Sequence, residues 1–227
     1  MKLERLHITA FVLITAVLWF AILYFQGVPI GCDYAKPFSI VISILVGLAL
    51  LLEFIAWRHP RLHGWFVPRP DLRGTWRVEI HSTYVDPKTN EREPIIIGYV
   101  GVRQTLSTLY LLLMTDESRS CFIAENVRRS PSGSGYQIIG VYTNEPKVHL
   151  RDARISEMHQ GAVIIETHGP ENRPTHLSAK YWTDRKTTGE MEFRDRIDAM
   201  CTTFADAENA FRQHRPLAGA AGGPARG

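Results

Sequence analysis

Two long apolar runs stand near the start of the chain, and a two-residue alternation of apolar and polar positions follows them. The runs are Ile8–Phe25 and Phe38–Trp57, and both consist almost entirely of apolar side chains. At a helical rise of about 1.5 Å per residue, each run is about as long as the roughly 30 Å hydrocarbon core of a bilayer. The pattern predicts a hairpin of two transmembrane helices over residues 1–57. The first run exceeds the roughly 7–15 apolar residues of a signal peptide, which favours a retained span over a cleaved one.

Basic residues around the two runs predict their orientation. Two basic residues precede the first run, and four arginines follow the second within residues 58–73. The segment between the runs contains a single basic residue, Lys36. Positive charge is retained on the cytoplasmic side of a membrane, so we expect a multi-pass protein with both termini in the cytoplasm. Residues 58–73 also contain Pro60, Pro68 and Pro70. Because proline fixes φ and lacks an amide donor, we expect this basic linker to be extended and stiff.

The second run carries a row of small side chains and one carboxylate. Ser39, Ser43 and Gly47 recur every four residues and therefore share one helical face. Such a face lets two helices approach closely in lipid, either within one chain or between subunits of an oligomer. Glu53 is the ionisable residue of this run. Its carboxylate is expected either to reach the interface near Arg58 or to make a polar contact between packed helices.

From Gly74 onward the apolar period is two, as in half-buried strands. Turn residues separate the alternating segments, and no long helical pattern lies between them. The predicted strands are Trp76–Ile80, Ile95–Gln104, Leu106–Thr115, Cys121–Val127, Tyr136–Asn144, a weaker one at Arg151–Met158, Gly161–His168, Thr175–Thr183 and Thr188–Asp195. Antiparallel strands of this number hide their edges most easily by closing into a barrel. The fold class expected is a membrane-anchored all-β protein, with an antiparallel barrel of about eight strands over residues 74–200.

Residues 201–227 are expected to contribute a short helix and a tail. Thr203–Gln213 places Phe204 and Phe211 at helical spacing among alanines and charged residues. Residues 216–227 are rich in glycine, alanine and proline, a composition typical of disorder.

Composition and motifs exclude several classes of function. A formal charge of +3 is too small to predict DNA or RNA binding. The three cysteines have no motif spacing, and His59 and His63, although four residues apart, fall in a linker broken by proline, so no metal site is predicted. The catalytic motifs of hydrolases, P-loop enzymes and zinc peptidases are missing from the sequence. We therefore expect neither an enzyme nor a cofactor.

Aromatic rings and hydrogen-bonding groups are interleaved on the predicted strands. Nucleotide ligands need aromatic faces for their bases and arginines for their phosphates. Side chains of these types are Tyr99, Arg103, Gln104, Tyr142, Asn144, Tyr181, Trp182, Arg185, Thr187 and Thr188. Trp76 and Tyr181 fit a barrel core better than a ligand pocket, because their strand neighbours at even spacing are apolar. Arg185 could also pair with Asp184 or Glu190 across the final hairpin.

Four short signatures, in order behind the two apolar runs, resemble a known family. They are Leu72-Arg-Gly74-Thr-Trp76, Gly98-Tyr99-Val-Gly101 leading to Gln104, Tyr142-Thr-Asn144-Glu-Pro146, and Tyr181-Trp182-Thr183-Asp-Arg185-Lys-Thr187-Thr-Gly189. The chain is similar from about Leu6 to Arg196 to the two-transmembrane, β-strand-rich effectors of bacterial CBASS anti-phage systems.

The resemblance implies a minimal β-barrel that binds a cyclic dinucleotide made by a partner nucleotidyltransferase. In this family, ligand binding is thought to drive homo-oligomerisation through the membrane helices, which disrupts the inner membrane and kills the infected cell. The partners implied are the ligand, its synthase, inner-membrane lipids and further copies of the chain. From chemistry and from position in the signatures, the ligand-binding residues predicted are Tyr99, Arg103, Tyr142, Asn144, Tyr181 and Arg185, and the helix-packing residues are Ser39, Ser43, Gly47 and Glu53.

Two other functions stay open at this point. The barrel could hold an apolar small molecule in its interior, as a membrane-tethered carrier or sensor of the lipocalin type. It could instead be filled by its own side chains and dock a protein on its outer face. Binding of an apolar ligand without permeabilisation of membranes would favour the first of these alternatives.

Overall fold

A computed structural model of the chain describes residues 5–27, 32–63, 66–85, 89–147 and 158–214. The chain forms two compact units. The first contains residues up to 62 together with Thr105–Thr108, and the second contains residues 63–104 and those from 109 onward. The weaker predicted strand, apart from Met158, and the predicted disordered tail lie outside the described residues.

The first unit is helical, as the two apolar runs predict. Helix α1 spans Arg5–Phe25 and helix α2 spans Cys32–Phe54. No helix within the described ranges combines the length and the apolar character needed to cross a membrane. Two short 3-10 helices follow α2 at Ala56–Arg58 and Pro60–Leu62. The prediction of an extended linker is therefore wrong for its first residues, because the φ of proline also suits the first position of a helical turn.

The second unit is a closed antiparallel barrel of eight strands, which confirms the predicted all-β barrel. Each strand pairs with the next, and β1 also pairs with β8. The strands are β1 Gly74–Ser82, β2 Ile96–Gln104, β3 Leu109–Met114, β4 Ser118–Arg129, β5 Tyr136–Pro146, β6 His159–His168, β7 His176–Thr183 and β8 Thr188–Ile197.

Strand β3 begins later than predicted, and the reason is local hydrogen bonding. The Thr105 amide donates to the Thr108 carbonyl at 3.0 Å, and the two threonine hydroxyls lie 2.7 Å apart. Threonine side chains that bond nearby backbone and hydroxyl groups favour turns. Residues Thr105–Thr108 therefore form the β2–β3 turn, and the strand predicted from Leu106 starts at Leu109.

Alternation along each strand separates an apolar interior from the outer face. Trp76, Val78, Val100, Ile138 and Phe193 are among the buried side chains that fill the interior. The predicted C-terminal helix is confirmed and spans Phe204–His214 (α3). It lies against the outer face of the barrel, where Tyr99, Leu112 and Ala207 belong to a second, smaller apolar cluster.

One end of the barrel is closed by the segment that precedes β1; we call it the sealed end. Pro70 and Leu72 are buried there. The Gln104 side chain accepts a hydrogen bond from the Leu72 amide at 2.9 Å and donates one to the Pro70 carbonyl at 2.8 Å. The Trp76 indole donates to the Leu72 carbonyl at 3.0 Å. Since these bonds satisfy buried backbone groups, the Leu72–Trp76 signature and Gln104 have a structural role.

Candidate functional site

Inward-facing polar side chains collect at the opposite end of the barrel, which we call the polar end. Several strands keep their alternation up to this end, where their inward positions change from apolar to polar. The residues at these positions are Ser82, Ser120, Tyr142, Asn144, His159 and Tyr181. Ser120, Tyr142, Asn144 and Tyr181 are each less than a tenth exposed. None of the six carries a fixed positive charge, so the cluster is built for neutral hydrogen-bonding partners.

Glycines on neighbouring strands make room for the two tyrosine rings. A Cβ at Gly161 would lie 2.5 Å from the Tyr142 hydroxyl, and a Cβ at Gly189 would lie 2.5 Å from the Tyr181 ring. Real Cβ contacts are not this short, so a side chain at either glycine would displace the ring. The glycines thus determine where both tyrosines point, and they explain why strand-breaking residues occur within β6 and β8.

Asn144 is held by its neighbour on β4. Ser120 and Asn144 are directly opposite in the β4–β5 ladder, and the Ser120 hydroxyl donates to Asn144 Oδ1 at 2.8 Å. Both side chains are 8% exposed. On the other side, Asn144 is opposite His159 of β6. A buried amide held in this way is pre-organised, because its rotamer is fixed before any ligand arrives.

Both tyrosine hydroxyls at the polar end are protonated over the physiological pH range. Burial raises the pKa of Tyr142, and the nearby Tyr181 and Asp184 raise it further. Burial also raises the pKa of Tyr181, although a hydrogen bond with Ser82 lowers it in part. Each phenol can therefore donate one hydrogen bond and accept others.

The apolar interior beneath this cluster has little free space. A cavity of about 30 Å³ lies among Val100, Leu113, Phe122, Tyr142 and Met191. A cavity needs roughly 10–15 Å³ of free volume to hold one water molecule, so this cavity is large enough for about two waters. The barrel is consequently filled by its own side chains, and a nucleotide cannot be enclosed at its centre.

Flexible and charged groups border the polar end. The β7–β8 turn brings Arg185 and Lys186 to this end, and both are exposed. Asp184 anchors the turn, since its carboxylate accepts a hydrogen bond from the Gln160 amide at 3.1 Å. Tyr84 lies two residues beyond Ser82, and its backbone amide donates to the Ser82 hydroxyl at 3.1 Å. The Tyr84 side chain is 43% exposed, so its ring is available for stacking.

The six predicted ligand-binding residues fall in different places. Tyr142, Asn144 and Tyr181 meet inside the polar end, with Arg185 on the turn beside them. Tyr99 lies on the outer face, between the rings of Phe204 and Phe211 at centroid distances of 5.3 and 5.2 Å. Arg103 is exposed on the outer face next to the opposite end of β2, where it pairs with Tyr110. The structure thus brings four of the six together and separates the other two from them.

Among the predicted helix-packing residues, Glu53 makes the most contacts. Its carboxylate accepts hydrogen bonds from the Thr105 hydroxyl, from the Ser107 hydroxyl at 2.6 Å and from the Ser107 amide at 3.2 Å. Its backbone carbonyl accepts from the Leu106 amide at 3.1 Å. The sequence predicted that Glu53 would either reach the interface near Arg58 or contact a packed helix. The structure shows a different polar contact, because the partner of Glu53 is the Thr105–Thr108 turn.

The small-residue face of α2 is described in part. Ser43 is exposed, and a Cβ at Gly47 would meet no described atom within 4 Å. The side chain of Ser39 lies outside the described residues.

In the part of the chain that the structure describes, no group of histidine, cysteine, aspartate or glutamate residues is arranged to bind a metal. Cys121 and Cys201 are free thiols.

Sequence reasoning missed four residues at the polar end: Ser82, Ser120, His159 and Tyr84. The first three stand just beyond the predicted strands, at even spacing from inward-facing residues. Extending each alternation by two residues would have found them. Tyr84 follows β1 in a loop, and no periodicity marks a loop residue.

The described residues of the second unit thus form a closed barrel with a packed centre, one sealed end and one polar end. The family model described as "Cap15, cyclic dinucleotide receptor domain" matches residues 67–195, from the sealing segment to the last strand. The chain belongs to this family of CBASS effectors. No curated protein matches the chain.

Proposed function

We propose that a cyclic dinucleotide binds at the polar end of the barrel and drives the chain to assemble and to disrupt the inner membrane. The observation that carries the binding site is the cluster of Tyr142, Asn144 and Tyr181, bordered by the cations of Arg185 and Lys186. Uncharged inward groups suit the edges of bases, whereas cations at the rim suit phosphates. The exposed Tyr84 ring adds a surface on which a base can stack.

Binding at this end requires a local rearrangement of the protein. The cluster side chains are less than a tenth exposed, so a base reaches them only after covering groups move aside. Ligand binding then selects an open state that is a minor one in the free protein.

The carrier function is not supported by the interior of the barrel. An apolar guest in a lipocalin-like barrel needs a cavity of several hundred Å³. The cavity measures about 30 Å³ and is lined by well-packed side chains. The interior is therefore a core, and the ligand that fits this protein is one that binds from the end.

The two N-terminal helices are proposed as the membrane anchor and as the oligomerisation element. Their apolar sequences, Ile8–Phe25 and Phe38–Trp57, support insertion, and the open space at Gly47 supports close packing against another helix. The basic residues within 58–73 support a cytoplasmic position for the barrel. Self-association through this face would produce a homo-oligomer that perturbs the bilayer.

The Glu53 contact supports coupling between ligand binding and the helices. One carboxylate oxygen accepts from Thr105 and Ser107, which belong to the turn that joins β2 to β3. Hydrogen bonds to a charged group are stronger than neutral ones, about 1.5–3 kcal/mol each. A shift of β2 or β3 would therefore be transmitted to α2 through this turn. The ligand itself would come from a partner nucleotidyltransferase, since the chain contains no catalytic motif for making it.

Thermal denaturation of the full chain in mild detergent tests ligand binding. A ligand present at about 100 times its Kd adds roughly 2.7 kcal/mol to the stability of the native state. For a chain of this size that corresponds to a rise of about 5–10 °C in Tm. The absence of a shift with every cyclic dinucleotide in a panel of adenine, guanine, uracil and cytosine homodimers would overturn the proposal.

Growth arrest on expression with the cognate synthase tests the membrane step. Gly47→Leu should retain ligand binding but lose toxicity, because a bulky side chain keeps neighbouring helices apart. Ile44→Leu on the same helix is the matched control and should remain toxic. Full toxicity of the Gly47→Leu variant would contradict the helix-packing mechanism.

A further inference from the structure

Within the described ranges, one side of β4 has no partner strand over most of its length. β4 pairs with β5 from Ser118 to Arg129, but its pairing with β3 covers only Arg119–Cys121, opposite Leu112–Met114. The described residues thus give Phe122–Arg129 a ladder partner on one side only. We call the other side of this segment the open edge. It is a row of backbone donors and acceptors of the kind to which a further strand can add.

The open edge follows from the lengths and bends of the two strands. β3 has six residues, because the turn at Thr105–Thr108 delays its start, whereas β4 has twelve. A β-bulge between Phe122 and Ala124 interrupts the ladder of β4 with β5. Bulges bend a strand and increase its local twist. The pairing of β4 with β3 ends at Cys121, immediately before this bulge.

The side chains along the open edge are largely accessible. Glu125 and Val127 are half-buried, and Ile123, the bulge residue, is 57% exposed. The other exposed side chains are Ala124, Asn126, Arg128 and Arg129. Proline and repelling charges are common protections of edge strands against pairing. The segment contains no proline, so the arrangement of its charges decides which strand can pair with it.

The sequence of the open edge is complementary to itself in one antiparallel register. A twofold axis between two such edges keeps their inward faces on the same side, so residues of one face pair with each other. In the register centred on Val127, Glu125 faces Arg129 of the second copy, and this contact occurs twice. Asn126 faces Arg128 of the second copy on the outer face. Opposite charges directly across a ladder stabilise the pair.

The two neighbouring registers lack this match. One places Asn126 opposite its own counterpart and leaves Glu125 opposite Val127, so no charges pair. The other places Arg128 opposite Arg128, and like charges at such positions are destabilising. Charge complementarity therefore selects both the occupant of the open edge, which is a second copy of the chain, and the register.

We infer that two copies of the chain pair through their open edges, so that the two β4 strands form one antiparallel ladder between two barrels. This interface belongs to the barrel and is distinct from the helix packing proposed for α2 and from ligand binding at the polar end. The pairing needs no ligand and is present in the free protein. Because a twofold contact of this kind is closed, it produces a dimer and leaves further assembly to other surfaces.

Disulfide cross-linking of the full chain in mild detergent tests the register. Position 126 of one copy lies opposite position 128 of the other, and directly opposite residues come within the roughly 4 Å between Cβ atoms that a disulfide needs. A mixture of Asn126→Cys and Arg128→Cys chains should therefore form a mixed disulfide at least about fivefold faster than either chain alone forms one with itself. A mixture of Asn126→Cys and Lys180→Cys chains is the control, because β7 pairs on both sides. The native cysteines are common to all samples.

Charge reversal tests the complementarity. Glu125→Arg brings two arginines face to face and should convert the free dimer to a monomer, measured as a halving of the protein mass by light scattering in detergent. Asn126→Lys, at an exposed position opposite Arg128, should have the same effect and decides the question if Glu125→Arg does not fold. Glu190→Arg changes the charge equally on β8, which has a partner strand on both sides, and should leave the dimer intact.

The outcomes separate this inference from the proposed function. Equal cross-linking rates for the mixture and for the single chains would overturn the inference. So would a monomeric free chain, or a dimer that persists in both Glu125→Arg and Asn126→Lys. All of these measurements are made without ligand, so each result leaves the receptor function standing. A failure of every cyclic dinucleotide to bind would overturn the receptor function and leave the edge pairing unaffected.

Discussion

Replacing Gln104 by leucine tests the distinction between the two ends of the barrel. Gln104 is 4% exposed and makes two hydrogen bonds with the segment that seals one end, to the Leu72 amide and to the Pro70 carbonyl. Leucine is similar in size but can make neither bond. The variant should therefore be less stable, while the polar end and its ligand binding should be unaffected.

The magnitude follows from the two groups that lose their partner. A buried amide or carbonyl left unsatisfied costs about 1–3 kcal/mol, so the pair costs about 2–6 kcal/mol. The added apolar burial of leucine returns about 1 kcal/mol. The net loss of about 1–5 kcal/mol lowers the Tm of a chain of this length by about 2–20 °C.

Thermal denaturation of the full chain, with and without ligand, measures both parts of this prediction. Gln160→Leu is the matched control, because Gln160 is exposed on the outer face of β6 and should change Tm by no more than about 2 °C. The Gln104→Leu variant should bind ligand with an affinity within about twofold of the unmodified chain. A Tm drop no larger than that of the control, or a lost affinity with an unchanged Tm, would refute the assignment of Gln104 to the sealed end.

Three further predictions concern the polar end, the sealed end and the Thr105–Thr108 turn that contacts Glu53, which we call the coupling turn. Gly161→Ala should weaken ligand binding at least tenfold and cost about 1–3 kcal/mol of stability, because the new methyl group displaces the Tyr142 ring. Burial alone would raise the pKa of Asp71, but the hydrogen bonds and charge of Arg73 lower it below its usual value. The stability that these interactions with Arg73 contribute is present above about pH 4, and it is lost as the pH falls through the folded-state pKa of Asp71. Unfolding of an Asp71→Asn variant, followed against pH, should accordingly lack that acid-dependent loss. Glu53→Ala should retain ligand affinity but lose toxicity, measured by calorimetry and by growth arrest, because its three hydrogen bonds to the coupling turn are gone.

Each of these three predictions has a result that would contradict it. Wild-type affinity in Gly161→Ala would show that the Tyr142 ring takes no part in binding. Gly133→Ala is the control for a loss of stability without ring displacement, because its φ of 84° strains alanine while the space around it is open. If the acid unfolding curve of Asp71→Asn is identical to that of the unmodified chain, the Asp71–Arg73 pair does not contribute to the stability of the sealed end. Full toxicity of Glu53→Ala would show that the contact between Glu53 and the coupling turn is not needed for membrane disruption.

The alternation of apolar residues was sufficient to predict the barrel, because each strand has one face in the core. Trp76, Val78, Val100 and Ile138 occupy the inward positions that their spacing indicates, and all are buried. Boundaries were less accurate where local hydrogen bonds override the pattern, as in the turn at Thr105. The same holds at Pro60, where a 3-10 turn replaces the expected extended chain.

The candidate site was predicted only in part, since its residues are brought together by the pairing of strands and not by any sequence spacing. Tyr142 and Asn144 share β5, but their proximity to Tyr181 of β7 depends on both strands pairing with β6. Tyr99 has the chemistry of a base-stacking residue, yet its strand parity places it outside, where α3 covers it. The residue types alone did not indicate which face each one would occupy.

Hydrogen–deuterium exchange of the full chain, with and without a saturating cyclic dinucleotide that binds in the panel above, would locate the ligand site. We expect ligand-dependent protection in peptides that cover Tyr142–Asn144, His159–Gly161 and Tyr181–Thr187, which together form the polar end. Peptides that cover Phe204–His214, over the outer face, should exchange at an unchanged rate. Protection confined to that helix and to Tyr99, with none at the polar end, would contradict the account.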